Sequence, residues 1–424
     1  MRRNLLNTFM RITLMAGFLG LLTTTSVEAQ TGESNARSVG MGGAYTALAR
    51  GIEAPSWNPA NLGLPGRHIY RLNLVSLGVG IHNNSFSKSF YERYNGQHLT
   101  EQDKQDILAA IPDYGLEGDV DAEIQAMGLN IGRFALTSSG ISASNFIIPK
   151  DLADIALNGN EVGRQYDIDA TNGEGWAVSS FAVSTAFRMN MPLFREFSVG
   201  ASAKYLRGLA YGKVVEARTS VLTDIDGLHT SGRVVIDRSF GGNGYAIDLG
   251  VAGTLNDSWS MSLGFSNLFN HVNWSRETKR YTYAFNADSL TVQGISASNI
   301  DSIFVDSEET IDIDPFSSTL PAQLRFGLAR TSKRLTFAVD YSQGFKKAPG
   351  VSTKPQLAFG SEVRLIHFLP LRTGFSVGGR NGFSSSAGFA FDFSEFSWDF
   401  AIASRGGMFN SKGLTFAFDW MFRI

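Results

Sequence analysis

The sequence predicts an all-β fold, a transmembrane antiparallel β-barrel of about 14 strands with short helical insertions. Three observations carry this. The chain ends on an alternation that puts Leu414, Phe416, Phe418, Trp420, Phe422 and Ile424 on one side and Thr415, Ala417, Asp419, Met421 and Arg423 on the other. Period two is the signature of a strand. The composition is skewed to 32 Phe and 45 Gly, with 11 Pro and 18% charged residues. The charged share is below the usual quarter and suits strands with an aromatic outside and a small-residue inside. The third observation is an export signal, after which no apolar run reaches the length a membrane-spanning helix needs.

The signal is read at residues 1–29. Arg2, Arg3 and Arg11 form a basic start, Ile12 to Leu22 an apolar stretch too short to span a bilayer, and Val27-Glu28-Ala29 a small-residue cleavage site. Removing it takes three Arg and one Glu and leaves a net charge of −4. Such a chain offers no basic footprint, so nucleic acid is not expected as a partner. The absence of Cys rules out disulfides, thiolate metal sites and lipidation on a cysteine.

Residues 30–66 are rich in Gly, Ala and Asn and lack alternation, so they stand apart from residues 67–424, which are read as the barrel. Within it, Phe197 to Tyr205, Tyr245 to Val251, Trp259 to Phe265, Leu335 to Tyr341 and Phe396 to Ile402 are alternating segments. They are joined by short turns such as Asn256-Asp257-Ser258. Segments of about ten residues in even number are the barrel signature. Three insertions interrupt them. Residues 97–122 hold a helix from Thr100 to Ala110, capped by Thr100 with Asp103 and stopped by Pro112. Residues 149–160 hold a second, started by Pro149 and ended by Gly159. Residues 287–318, with Asp301, Asp306, Glu308, Glu309, Asp312 and Asp314, read as a long, solvated extracellular loop without metal-ligand spacing.

The face opposite the aromatic one decides the solvent. A soluble sandwich would carry Lys and Glu there in numbers. This one carries Gly, Ala and Ser with isolated charges of both signs: Lys204, Asp248, Arg325, Asp340, Glu362, Arg364, Arg372, Asp392 and Asp399. Facing lipid, a Lys or Arg would cost ~2–4 kcal/mol near the midplane. These residues are therefore expected to line the lumen as a charge-paired network. Phe416, Phe418, Trp420, Phe422 and Ile424 then face lipid. This last strand is expected to pair with the first, close the barrel, and carry the signal read by the barrel-insertion machinery.

Catalytic and metal sites are not expected. Gly374-Phe375-Ser376-Val377-Gly378 fits the nucleophile-elbow pattern, but that pattern needs a strand-to-helix turn, and here alternation continues on both sides. The six His show no metal-like spacing such as His-x-x-x-His. No cofactor is expected, and the chain is read as a non-enzyme.

Two stretches of residues 30–66 carry a family resemblance: Ala36-Arg37-Ser38-Val39-Gly40-Met41-Gly42-Gly43-Ala44-Tyr45-Thr46-Ala47 and Trp57-Asn58-Pro59-Ala60-Asn61-Leu62. They resemble the N-terminal region of the FadL-type outer-membrane transporters of Gram-negative bacteria, and still more the related PorV-type barrels. The resemblance implies that residues 30–66 are an N-terminal hatch inside the lumen that plugs a 14-stranded barrel, with Gly40, Gly42, Gly43, Trp57, Asn58, Pro59 and Ala60 in its gating motif. It also implies passive uptake of a hydrophobic or amphipathic small molecule through the outer membrane. The alternative it implies is a PorV-like accessory or shuttle barrel for secreted proteins, docking through the insertions; an outer-membrane hydrolase hanging on Ser376 is the third reading. The motif has its own physics. Gly40, Gly42 and Gly43 permit tight packing and positive φ. Pro59 holds Asn58 extended, and Asn58 is a turn-former.

Overall fold

Alternation of large and small side chains becomes a wall of antiparallel strands. The computed structural model describes residues 34–66, 70–169, 171–225, 227–290, 304–393 and 395–423. The signal at 1–29, the first residues assigned to the hatch, part of the acidic 287–318 segment and Ile424 lie outside the described residues.

In chain order the strands are β1 (Tyr70–Asn83), β2 (Leu116–Ile131), β3 (Phe134–Ile148), β4 (Gln165–Asp167), β5 (Asn172–Met189), β6 (Glu196–Asp224) and β7 (Gly227–Ser239). There follow β8 (Gly242–Thr254), β9 (Trp259–Trp274), β10 (Lys279–Leu290), β11 (Phe304–Asp312), β12 (Phe316–Ser318) and β13 (Gln323–Thr331). The last are β14 (Leu335–Gly344), β15 (Gln356–Ile366), β16 (Leu369–Gly378), β17 (Ser384–Asp392), β18 (Phe396–Arg405) and β19 (Gly413–Arg423). β1, β2, β3, β5, β6, β8, β9 and β13 to β19 form a closed circuit of fourteen. β19 returns to β1, with Leu72 opposite Phe422 and Ile81 opposite Leu414. Closure leaves no unpaired edge in the wall.

Burial is inverted relative to a water-soluble fold. Phe416 is 48% exposed on the outer face, whereas Asp419, three residues on, is completely buried within. Outward rings form rows across the strands: Phe389 to Phe400 at 5.3 Å, Phe400 to Phe418 at 5.1 Å, and Phe359 to Phe375 at 5.0 Å. A hydrophobic, aromatic outside with polar groups inside is the arrangement of a barrel in lipid.

The remaining strands stand beyond the wall, on the side away from the short turns. β6 has 29 residues. Its first half pairs with β5 and β8; its second half pairs with β7 and, over Ser220 to Leu222, with β4. β7 continues to β10 and β10 to β11. The overhanging half of β6, about 12 residues, reaches roughly 40 Å.

This corrects the long loop expected at 287–318, since β11 and β12 lie inside it and β10 runs into it. β11 escapes a periodicity reading because Ser307 to Asp312 are all exposed. Its strand comes from an in-register ladder with β10, Lys279 opposite Asp312 and Tyr283 opposite Glu308, rather than from a buried face.

Among the described residues, five α-helices accompany the strands: α1 (Ala36–Gly40), α2 (Ala54–Trp57), α3 (Lys88–Tyr94), α4 (Glu101–Ala110) and α5 (Lys150–Asn158). Thr100 and Asp103 cap α4 reciprocally. Gly159, at φ 79°, ends α5. The insertion expected at 97–122 is misplaced at both ends: α3 precedes it, and its last residues, from Leu116, already belong to β2. α3 carries no buried residue, although Phe86, Phe90 and Tyr94 line up along it at i, i+4 spacing, 5.2 and 4.7 Å apart.

Candidate functional site

Residues 34–64 lie inside the barrel and are tied to its wall on several sides. The Asn35 side chain accepts from the Ser38 N–H at 2.7 Å and so caps α1. At the same end, the Ala36 N–H donates to Asp419 of β19 at 2.9 Å. A turn through Gly42 and Gly43, at φ 68° and 90°, then aims the Tyr45 and Thr46 N–H groups at one oxygen of Asp340 in β14, at 2.9 and 2.7 Å. The Ala47 carbonyl accepts from Ser260 of β9 at 3.0 Å. Pro59 holds Asn58 extended, at φ −160°. The fully buried Asn58 amide donates to Val251 O at 2.9 Å, Ser262 Oγ at 2.7 Å and Leu263 O at 3.0 Å, while its oxygen accepts from Ala60 N. Asn58 therefore clamps the segment to β8 and β9.

The wall is thinned where the segment touches it. A Cβ on Gly250 would lie 1.9 Å from Asn58 Oδ1; on Gly200, 2.4 Å from Ala60 N; on Gly374, 2.3 Å from Met41 C; on Gly360, 2.4 Å from Met41 O. Gly200 faces Gly250 and Gly250 faces Gly264 on adjacent strands, and Gly360 faces Gly374. The small inner face is thus a seat for the plug. Gly40 packs on the wall as well, its added Cβ meeting Arg372 Cβ and Gly388 Cα at 3.3 Å.

The expected lumen charges fall into separate groups. Glu362 in β15 is the hub of one: it meets Arg372 at 2.8 Å, Arg364 at 3.2 Å and, from the plug, Arg37 at 2.8 Å. Arg372 continues to Asp399 at 2.6 Å, Arg364 to Asp392 at 2.6 Å, and Asp392 to Arg423. Lys204 and Asp248 form their own pair at 2.6 Å. Arg325 and Asp340 both serve the plug: Arg325 lies 4.7 Å from the Trp57 ring and donates to Ser56 O at 3.2 Å. Trp57 also meets Tyr45 edge-on at 5.5 Å. Burial, reinforced by the Glu53 carboxylate that accepts its hydroxyl, raises the Tyr45 phenol well above its ordinary range. Burial likewise pulls the Arg50 guanidinium down to about 10.

Sequence reasoning missed Arg37 and Glu53 in the plug and a cluster at the far end of the lumen, where Arg380 meets Asp121 and lies 3.7 Å from Asp119, itself 3.7 Å from Arg405. Asp119 and Asp121 share the inner face of β2 at i, i+2 spacing. That signal was available, but it fell within the stretch read as an insertion. Ser376 sits mid-strand in β16 and accepts from Gln356 at 3.2 Å.

Above the plug is a cavity of about 170 Å³. Its floor includes Ser38, Gly42, Gly43, Thr46 and Trp57; its walls include Arg325, Asp340, Ser342, Gln356 and Ser376; residues of the loops at 350–354 and 379–384 reach over it.

Fold comparison agrees with this architecture. The crystal structure of the Ralstonia pickettii toluene transporter TbuX superposes with a TM-score of 0.52 at 14% identity, over 92% of this chain and 97% of that one. The P. putida toluene transporter TodX gives 0.53 at 11% identity, over 94% and 99%. A Pseudomonas aeruginosa FadL homologue gives 0.52 at 14%, over 92% and 98%. At these identities the likeness concerns the fold, which is that of the FadL-type barrels. No protein of curated function matches the sequence. A family model does, at residues 59–236 and 214–402; the chain belongs to the family of unknown function DUF5723, built on a FadL-type barrel.

Proposed function

We propose that the protein is an outer-membrane channel for passive uptake of a small hydrophobic or amphipathic molecule, and that residues 34–66 are its gate. The observation that carries this is a closed fourteen-strand lumen occupied by a segment held through reversible contacts, hydrogen bonds and ion pairs, rather than through covalent links. A cavity adjoins that segment on the far side from the short turns. The fold neighbours support the class, since two are toluene transporters and a third is a FadL homologue. The signal expected at 1–29 supports export. The mechanism needs no chemistry: a molecule enters from the loop side, contacts the plug, and passes when the plug shifts.

Deletion of residues 34–64, leaving the signal in place, tests the gate. Single-channel conductance in planar bilayers should rise severalfold over the wild type. An unchanged conductance sinks the gating role.

The overhanging sheet of β4, β6, β7, β10 and β11 favours a second reading, a PorV-like scaffold for secreted proteins. Wild-type protein would then capture secreted proteins that a variant lacking residues 279–312 does not.

A further inference from the structure

The channel reading leaves the cargo open, and the cavity bears on it. We infer that the cavity above the plug takes the head group of a neutral, hydroxyl-rich amphiphile, one sugar-like ring carrying a small apolar substituent. This rests on the channel reading.

The lining is rich in groups that both donate and accept. Thr46, Ser342, Ser352 and Ser376 bring hydroxyls, and Gln356 and Asn381 bring amides. Of the charged groups among them, Lys354 is exposed, and the others are already engaged by the protein. Asp340 accepts two plug N–H groups, Arg325 lies over the Trp57 ring, and Arg380 meets Asp121 and Asp119. A carboxylate or ammonium entering here would lose its hydration and have to displace one of these partners. A neutral polyol only exchanges hydrogen bonds to water for hydrogen bonds to protein.

The plug offers a second, independent pointer. Among the described residues, the Trp57 indole N–H has no hydrogen-bond partner, although it belongs to a buried side chain at the cavity floor. A small shift of the plug would turn this group to an occupant, which links binding to gating. Apolar space is accounted for elsewhere. Trp176, Leu206, Tyr211, Trp274 and Phe316 fill one another's contacts between β5, β6 and β9, with Tyr211 5.3 Å from both Trp274 and Phe316. A hydrocarbon would have to break that packing, whereas Val39, Val351 and the Trp57 ring give the polar cavity a small apolar strip. At about 170 Å³ it holds about five or six water volumes, enough for one ring and too little for a long chain.

The test uses the purified full-length protein and three probes that share one aromatic ring: phenyl β-D-glucoside (neutral polyol), benzoate (anion) and toluene (hydrocarbon). Calorimetric titration in detergent should give binding of the glucoside at least tenfold tighter than of either other probe. Ser376→Phe, which fills the cavity from the wall, should weaken glucoside binding at least tenfold. Ser342→Leu serves the same end should the Phe variant fail to fold. Tighter binding of toluene or benzoate overturns the head-group inference while leaving the channel reading intact. Glucoside binding that survives both filled variants overturns the assignment to this cavity. If no probe binds, the inference falls; conductance of the protein lacking residues 34–64 then reports separately whether the channel reading falls with it.

Discussion

Asn58 and Gly250 are one device built from two residues. The amide occupies the space a Gly250 side chain would need, 1.9 Å from its Cβ position, and from there it reaches three acceptors 193 to 205 residues away in sequence. Gly250→Ala should cost about 1–3 kcal/mol by overpacking, and Asn58→Ala a similar ~1–3 kcal/mol by stranding its partners. Because both act on one contact, the double variant should lose clearly less than the sum. Urea unfolding in lipid vesicles, read by tryptophan fluorescence, checks this; simple additivity would refute the shared contact. Glu362 is the corresponding point for charge. It is 3% exposed and faces Arg37, Arg364 and Arg372. Glu362→Gln should therefore destabilise by about 3–5 kcal/mol and loosen the plug, detectable as faster proteolysis between residues 34 and 66. At this scale the sequence identified Asn58 as a turn-former and Glu362 as inward-facing. It could not identify Val251, Ser262 or Arg37 as their partners, since nothing local to either residue encodes a contact made across the lumen.

Elements divide by what their faces meet. Wall strands have one face in an apolar surround and one against the plug, so they alternate, and the alternation was legible in β8, β13, β14, β18 and β19. Phe400 is the outward residue of β18 in the aromatic row. Phe400→Arg should cost about 2–4 kcal/mol near the membrane midplane, measured by the same unfolding assay; a cost near zero would mean that this face does not meet lipid. The overhanging strands meet no lipid: β4, β6 and β7 place Tyr166, Val221 and Leu228 in a small cluster with Leu152 and Ile155 of α5, and β11 is exposed from Ser307 to Asp312. For that reason β11 was hidden in a segment read as a loop, whereas α4 and α5 were legible from their caps. Because β10 and β11 lie outside the fourteen-strand circuit, replacing residues 279–312 by a short Gly-Ser linker should leave a closed barrel. Its heat-modifiable migration on gels should match that of the wild type, and loss of that shift would show that the overhang is needed for folding.

For the whole molecule, period two, an aromatic face and a small inner face were sufficient to specify a barrel in lipid of about fourteen strands. Those properties follow from side-chain direction and solvent, which are written residue by residue. For residues 34–64 the sequence offered a lack of alternation, glycines and a family resemblance; their contacts with the inner wall came from the structure. What the tertiary structure alone decided is how the inside is filled. Closing the circuit brings β1 to β19, sets Gly200 beside Gly250 and Gly360 beside Gly374, and gathers charges from β15, β16, β18 and the plug around Glu362. It also leaves a polar cavity over the plug while aromatic side chains fill the space beside β5, β6 and β9. The sequence determined which face of each strand is turned to lipid, because that depends on one residue and its neighbours two positions away. Which inward groups meet depends on strand register around a closed ring, a property that no single segment carries.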